Sequence, residues 1–297
     1  MLDRASTFAD PEIVQLLKTR FIAVAIDQAY HRRQQDAEGE FYRKIAGQGP
    51  RNDFKKTTQG LYLASASGEL LGFNNNRGGD RIKALMMQAL EQFQVPTATP
   101  IEAGPVDRRY HARLPGGGMV VRVQAKILGG YEPTTDPWRK IFQEALSRDN
   151  LWLTATEQQA LVAGGLPSSL QQRLVRYHLI DNTRGEPQMW KAEEITSLDL
   201  SLEKGLLSGT VHLETASGNR GYQANLLGHI EHKDGKITRF DLVAHGQFWG
   251  ECTYTPGAPE GKFPLAVSFT LADGSDIADG VPPKGSRGWL RGYLQPQ

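Results

Sequence analysis

Apolar residues change their spacing twice along the chain. In the first third they recur mainly at three- and four-residue intervals. Asp10-Pro11-Glu12 reads as a helix start, because Asp caps free N–H groups, Pro suits the first turn and Glu favours the positive helix end. Ile13, Leu16 and Leu17 follow at helical spacing. Phe21 to Ile26 is then a continuous apolar run, the pattern of a central strand covered on both faces. Asp36 to Ala46 predicts a helix striped by Ala37, Phe41 and Ile45. Leu61–Ala64 and Leu70–Phe73, separated by Ser67-Gly68, predict a hairpin. Asp80 to Phe93 predicts a helix capped by Asp80, with Ile82, Leu85, Met86, Ala89, Leu90 and Phe93 on its apolar face.

A Pro- and Gly-bearing stretch follows, from Val95 to Gly118, and predicts a linker over 96–118. Beyond it, Val121, Val123, Ala125 and Ile127 alternate with polar residues as in a half-buried strand. Helical patterns cover Pro137–Ser147, Thr154–Ala163 (opened by the capping box Thr154-x-x-Glu157) and Pro167–His178. From Ile195 the period becomes two. Strand patterns near 196–203, 211–214, 222–232, 237–246 and 263–271 are joined by short turns at Lys204-Gly205, Ser217-Gly218-Asn219 and Asp234-Gly235. They predict an antiparallel meander, curved or closed to protect its edges, with the helices covering one face or plugging one end.

The first third, in the order helix, strand, helix, hairpin, helix, resembles the thioredoxin-like family. Phe21 to Asp27 is similar to the central strand of that family, and Leu70 to Phe73 after Ser67-Gly68 is similar to the hairpin before its last helix. The resemblance implies an α/β thioredoxin-like domain over 1–95, followed by an α+β domain over 119–297. It also implies a Cys-x-x-Cys pair ahead of the first helix and a cis-proline at the hairpin. This chain has Met-Leu-Asp-Arg-Ala and Gln59 at those places. Its one cysteine is Cys252, and dithiol exchange needs two neighbouring thiols.

Charge and composition narrow the picture further. A net charge of +1 argues against a broad nucleic-acid or anionic-membrane surface, and Arg32-Arg33 and Lys55-Lys56 read as solvated pairs. The longest apolar runs fall short of the ~20 residues that cross a bilayer, so no membrane span is expected. The N-terminus lacks the basic-then-apolar pattern of a secretory signal. A cytoplasmic location is expected, or an exported one whose leader has been removed. Phosphate-loop, dinucleotide, H-E-x-x-H and G-x-S-x-G patterns do not occur in the sequence, and nothing in it calls for a cofactor.

Two polar clusters stand out. Arg176 to Pro187, "RYHLIDNTRGEP", offers His178 as acid or base, Asp181 to orient it and Arg184 to hold an anionic group. The same residues equally suit a structural turn with an ion pair and a histidine at a helix C-terminus. Val243 to Pro256, "VAHGQFWGECTYTP", brings His245, Glu251 and Cys252 close in sequence. Cys with His can form a nucleophile pair, whereas on one strand Glu251 and Cys252 point to opposite faces and a lone Cys commonly packs as a small apolar group. His212 with Glu214, and His229 with Glu231 and His232, raise a metal site if their strands pair in register, or else an ordinary solvent face. Gly285 to Trp289 closes a pocket or anchors the tail. The sequence thus supports a redox-inactive thioredoxin-like chain with a binding or scaffold role toward a protein or small-molecule partner. The alternative is an enzyme built from His178, Asp181, Arg184, His245 and Glu251.

Overall fold

The structure is a computed structural model, and it describes residues 2–3, 5–95 and 104–296. Two compact units divide the chain: Ser6–Ala112, and Arg113–Gln297 together with Met1–Ala5. Of the linker expected over 96–118, residues 96–103 lie outside the described residues. Residues 104–112 belong to the first unit. There the Asp107 N–H donates to Asp36 Oδ2 at 2.8 Å, and the Gln35 N–H donates to Asp107 Oδ2 at 3.0 Å. The Tyr30 and Tyr110 rings lie 5.3 Å apart.

In the first unit, α1 spans Pro11–Arg20, and Asp10 Oδ1 accepts from the N–H groups of Glu12 and Ile13. A one-turn α2 (Gln28–His31) and α3 (Ala37–Ala46) follow, with Asp36 capping α3 through the Gly39 N–H. The buried face of α3 is Gly39, Tyr42, Ile45 and Ala46, so Ala37 and Phe41 sit at its margin. The hairpin forms as expected: β1 (Leu61–Ala64) pairs antiparallel with β2 (Leu70–Asn74), Tyr62 opposite Phe73. The cap of α4 (Gly79–Gln92) falls two residues early, at Gly78, with Asp80 inside the first turn, where its charge meets the helix dipole. Ile13 of α1, Leu63 of β1, and Ile82, Met86 and Ala89 of α4 make the core.

One element departs from its pattern. Phe21 to Ile26 is not a buried central strand. From Phe21 (φ −130°, ψ 158°) the chain runs to Asp27 without bend, turn or pairing. Ile22 is 93% exposed, Val24 71% and Ile26 43%. The sheet of this unit has only β1 and β2, so among the described residues no strand lies alongside Phe21–Ile26 to take its backbone groups. An apolar run becomes a central strand only when neighbours pair with both its edges.

The second unit is built on a seven-stranded antiparallel sheet in the order β4-β3-β9-β8-β7-β6-β5. The strands are β3 (Met119–Ile127), β4 (Asp149–Leu153), β5 (Ile195–Glu203), β6 (Leu206–Glu214), β7 (Gly221–Lys233), β8 (Lys236–Trp249) and β9 (Lys262–Leu271). It is open, with β4 and β5 at its edges, and not a barrel. The two-residue turns follow the sequence: Lys204 and Gly205 have φ of 51° and 83°, Asp234 and Gly235 of 52° and 74°. Positive φ at both positions is the type I′ geometry whose twist matches paired strands. Strict alternation puts Tyr222, Ala224, Leu226 and Ile230 of β7, and Phe240, Leu242, Ala244 and Phe248 of β8, on one buried face. The helical elements α6 (Ala155–Val162) and α7 (Ser168–Arg173), the π-turn Leu174–His178 and α8 (Leu290–Leu294) supply the opposing layer through Leu161, Leu170, Leu174, Tyr177 and Tyr293. α5 (Pro137–Glu144) is shorter than its pattern and buries no residue fully. Strand β4 has no counterpart in the sequence-based reading.

Candidate functional site

The π-turn at the end of α7 decides where the first cluster goes. The Leu179 N–H reaches back to the Leu174 carbonyl, and the widened turn carries His178 into the core. There its Nε2 lies 2.8 Å from the Tyr293 hydroxyl, and its Nδ1 lies 3.3 Å from Asp149 Oδ2. The second contact is off line for a hydrogen bond. A carboxylate facing Nδ1 places the ring proton there, so Nε2 accepts from the Tyr293 O–H. Burial pushes His178 below its ordinary value despite the raising pull of Asp149, and the ring is neutral. The Lys284 N–H donates to the other carboxylate oxygen, Asp149 Oδ1, at 3.1 Å. Arg173 flanks this group, with its guanidinium over the Tyr293 ring at 5.2 Å and paired to Glu157.

Asp181 and Arg184 form a second buried assembly. Their side chains are 0% and 1% exposed. Arg184 Nε and Nη2 donate to Asp181 Oδ2 at 3.0 and 2.6 Å, and Nη1 donates to the Thr255 carbonyl. The Thr183 N–H and hydroxyl donate to Asp181 Oδ1 at 3.0 and 2.6 Å. Glu251 Oε2 stands 3.6 Å from Arg184 Nη1, half exposed, and accepts from the Ala258 N–H at 3.2 Å. The assembly therefore ties the loop after the π-turn to the loop after β8. Chemically it is a closed clasp: the fork of Arg184 is spent on protein acceptors and is not presented to an anionic ligand.

The five candidate residues do not converge. Asp181, Arg184 and Glu251 come together. His178 is sealed between Tyr293 and Asp149. His245 stands exposed on β8, opposite Asn225 and Ala266, on the sheet face away from the core that holds His178. β8 ends at Trp249, so Glu251 and Cys252 lie in a loop and not on opposite faces of a strand. Cys252 is half-buried and receives a hydrogen bond from Arg220 Nη1 at 2.7 Å. Arg220 itself stacks 4.0 Å above the Trp190 ring, so the thiol borders a structural cation–π pair. Next to Glu251 an open cleft of about 680 Å3 is lined by Glu214, Asn219, Trp249 and Lys262, with the Lys262 ammonium 4.3 Å over the Trp249 ring.

The metal alternative depended on register. β6 and β7 do pair, but His212 faces Gln223 and His229 faces Leu206, at opposite ends of the ladder. His212 sits 3.2 Å from Glu214 in a local pair. Among the described residues no group of three His, Cys, Asp or Glu side chains could hold a metal. Trp289 at the tail packs edge-on to Tyr177 and Tyr293, an anchor for α8. Among the described residues no helix is long and apolar enough to cross a membrane.

The sequence pattern did not reveal Asp149 and Tyr293, the partners of His178. The available signals were weak: Trp289 and Tyr293 stand one helical turn apart, and Asp149 opens the short apolar run Leu151–Leu153. Comparison with family models, curated proteins and solved structures finds no match to this chain.

Proposed function

We propose that this chain works by binding, and that its N-terminal unit is a redox-inactive, thioredoxin-like receptor for an extended polypeptide segment. The observation that carries the reading is the exposure of Ile22, Val24 and Ile26 along a run whose backbone has no strand partner among the described residues. An unpaired, uncharged, β-branched segment offers main-chain donors and acceptors as well as apolar side chains, which is what strand addition uses. The thioredoxin-like assignment draws support from the order α1, extended run, α2, α3, hairpin, α4, in which the run holds the central strand's place in sequence without its pairing. The single cysteine supports the redox-inactive part. Asp181, Arg184 and His178 support the binding reading from the other side, because structural contacts consume their polar groups.

The test uses an acetylated eight-residue peptide of alternating Val and Thr as the probe, with amide hydrogen exchange of the whole chain as the readout. Slowed exchange at Phe21–Ile26 on adding the peptide, lost in Val24→Lys, is the expected result. Unchanged exchange at these amides up to millimolar peptide would reject a receptor role for this run.

A further inference from the structure

The sheet of the second unit has another face, away from its helices. The alternation that sends Tyr222 and Ala224 of β7 inward sends Gln223 and Asn225 outward. Register lines up the outward side chains in rungs across β6, β7 and β8. Thr210, Asn225 and His245 make one rung, and His212, Gln223 and Gln247 make the next. On these strands neither rung carries a carboxylate, ammonium or guanidinium. His212 Nε2 is engaged by Glu214 Oε2 at 3.2 Å and by Gln223 Nε2 at 3.3 Å. Asn225, His245 and Gln247 are exposed, and their side chains have no hydrogen-bond partner among the described residues. The apolar rung of Leu227 and Val243 bounds this strip on one side.

The other side ends on an aromatic plate. Trp249 is the next outward residue of β8 after Gln247, paired with Gly221 on β7 and Lys262 on β9. A Cβ at Gly221 would stand 2.1 Å from the indole, so glycine there lets the ring lie across the sheet. The Trp249 Nε1–H donates to the Gly218 carbonyl at 2.9 Å, which fixes the ring's rotation. Lys262 Nζ sits over the ring, 4.3 Å from its centre. That ammonium is on an exposed, flexible stem and has no ion-pair partner among the described residues, and a surface contact of this kind is weak. Beyond the indole opens the cleft of about 680 Å3, with Asn219, Glu251 and Pro259 on its walls.

We infer that the strip from Asn225 to Trp249 binds a neutral oligosaccharide, with one sugar ring stacked on Trp249 in place of the Lys262 ammonium and hydroxyls held by Gln247, His245 and Asn225. The inference concerns the second unit and does not depend on the peptide-receptor reading of the first. A sugar ring has C–H faces and a rim of hydroxyls, each both donor and acceptor. The indole covers the first, and amide and imidazole groups match the second because they too donate and accept. His245 to Trp249 spans about 14 Å along β8, room for more than one ring. Other ligand classes fit worse. An apolar ligand would bury the three polar side chains without partners, which is unfavourable. An anionic ligand would meet Lys262 as the one cation on these rungs. A cationic ligand would find Glu214 turned to His212, and Glu251 bonded to the Ala258 N–H and facing Arg184 at 3.6 Å.

The experiment is isothermal titration calorimetry of the full chain with cellohexaose, maltohexaose, mannohexaose and chitohexaose as the probes. Binding of at least one of them, with a Kd of about 1 mM or tighter, is expected. Trp249→Ala should weaken it roughly tenfold or more. Gln247→Ala and His245→Ala remove exposed side chains that hold nothing in the fold, so they leave stability unchanged and should weaken binding roughly two- to tenfold. Lys262→Ala uncovers the indole and should bind as well as the wild type or better. Far-UV circular dichroism verifies that each variant remains folded. No heat from any of these sugars up to about 10 mM overturns the inference. So does sugar binding that is indifferent to Trp249→Ala, Gln247→Ala and His245→Ala, or that is lost in Lys262→Ala. Choline and a heparin hexasaccharide serve as charged controls, and a chain that binds either of them but none of the neutral sugars refutes the assignment.

Discussion

Arg184→Ala is the most informative single substitution in the second unit. Arg184 is 1% exposed and contacts three groups: it makes two bonds to Asp181, one to the Thr255 carbonyl and an approach of 3.6 Å to Glu251. Truncation leaves the Asp181 carboxylate, at 0% exposure, with only the Thr183 donors, and it frees a carbonyl that the guanidinium had satisfied. Removing one partner of a buried pair costs about 3–5 kcal/mol, because the remaining charge stays desolvated. Glu251 contributes little to that figure, since a half-exposed carboxylate interacts as surface pairs do, at about 0–1 kcal/mol. In a unit of this size each kcal/mol shifts the melting midpoint by roughly 2–4 °C, so a fall of about 6–20 °C is expected. Thermal and urea unfolding followed by tryptophan fluorescence read it directly. Glu251→Gln serves as the control and should move stability by less than about 1 kcal/mol. The double change Asp181→Leu with Arg184→Met removes both charges together and should cost less than Arg184→Ala alone. An Arg184→Ala chain within about 1 kcal/mol of wild type, or a double variant that costs more than Arg184→Ala alone, would show that the clasp does not hold these loops.

Three further outcomes follow from named contacts. His178 is buried neutral with its value below the ordinary 6.5, so the unfolded chain binds the extra proton first and stability falls as pH drops below about 6.5. Urea unfolding between pH 8 and 5 should show that slope, at most about 1.4 kcal/mol per pH unit for one proton, and His178→Gln should flatten it; equal slopes would refute the neutral assignment. A Cβ at Gly246 would collide with the Gln223 carbonyl oxygen across the β7–β8 ladder, so Gly246→Ala should destabilise by about 1–3 kcal/mol or more, read as a lowered urea midpoint. Thr154→Ala removes the side-chain half of a formed capping box and leaves the residue-154 N–H on the Glu157 carboxylate, and should cost about 0.5–2 kcal/mol in the same assay.

The second unit was legible wherever one physical constraint fixed the pattern. A half-buried antiparallel strand must alternate, so β5 to β9 show in the sequence, and the Asp234-Gly235 turn is readable because few residues accept positive φ. Helix starts at Asp10, Asp36 and Thr154 were legible for a similar reason: a short polar side chain must satisfy free N–H groups there. Strand β4 was not. Asn150 to Leu153 is buried on both faces, and a short apolar run has no period to distinguish it from the end of a helix. The π-turn was hidden for another reason. One widened turn after α7 rotates His178 by a fraction of a turn, enough to send it into the core and away from Arg184, and side-chain spacing in sequence does not record that rotation. Phe21–Ile26 shows the limit from the opposite direction. Its composition states what the segment needs, which is neighbours on both edges, and an apolar run taken by itself carries no sign of whether they exist. Local sequence encodes a demand for pairing, but only the rest of the polypeptide, or a second molecule, can meet it. Phe21–Ile26, where composition asks for strand neighbours that the first unit does not supply, is therefore the place where binding is expected.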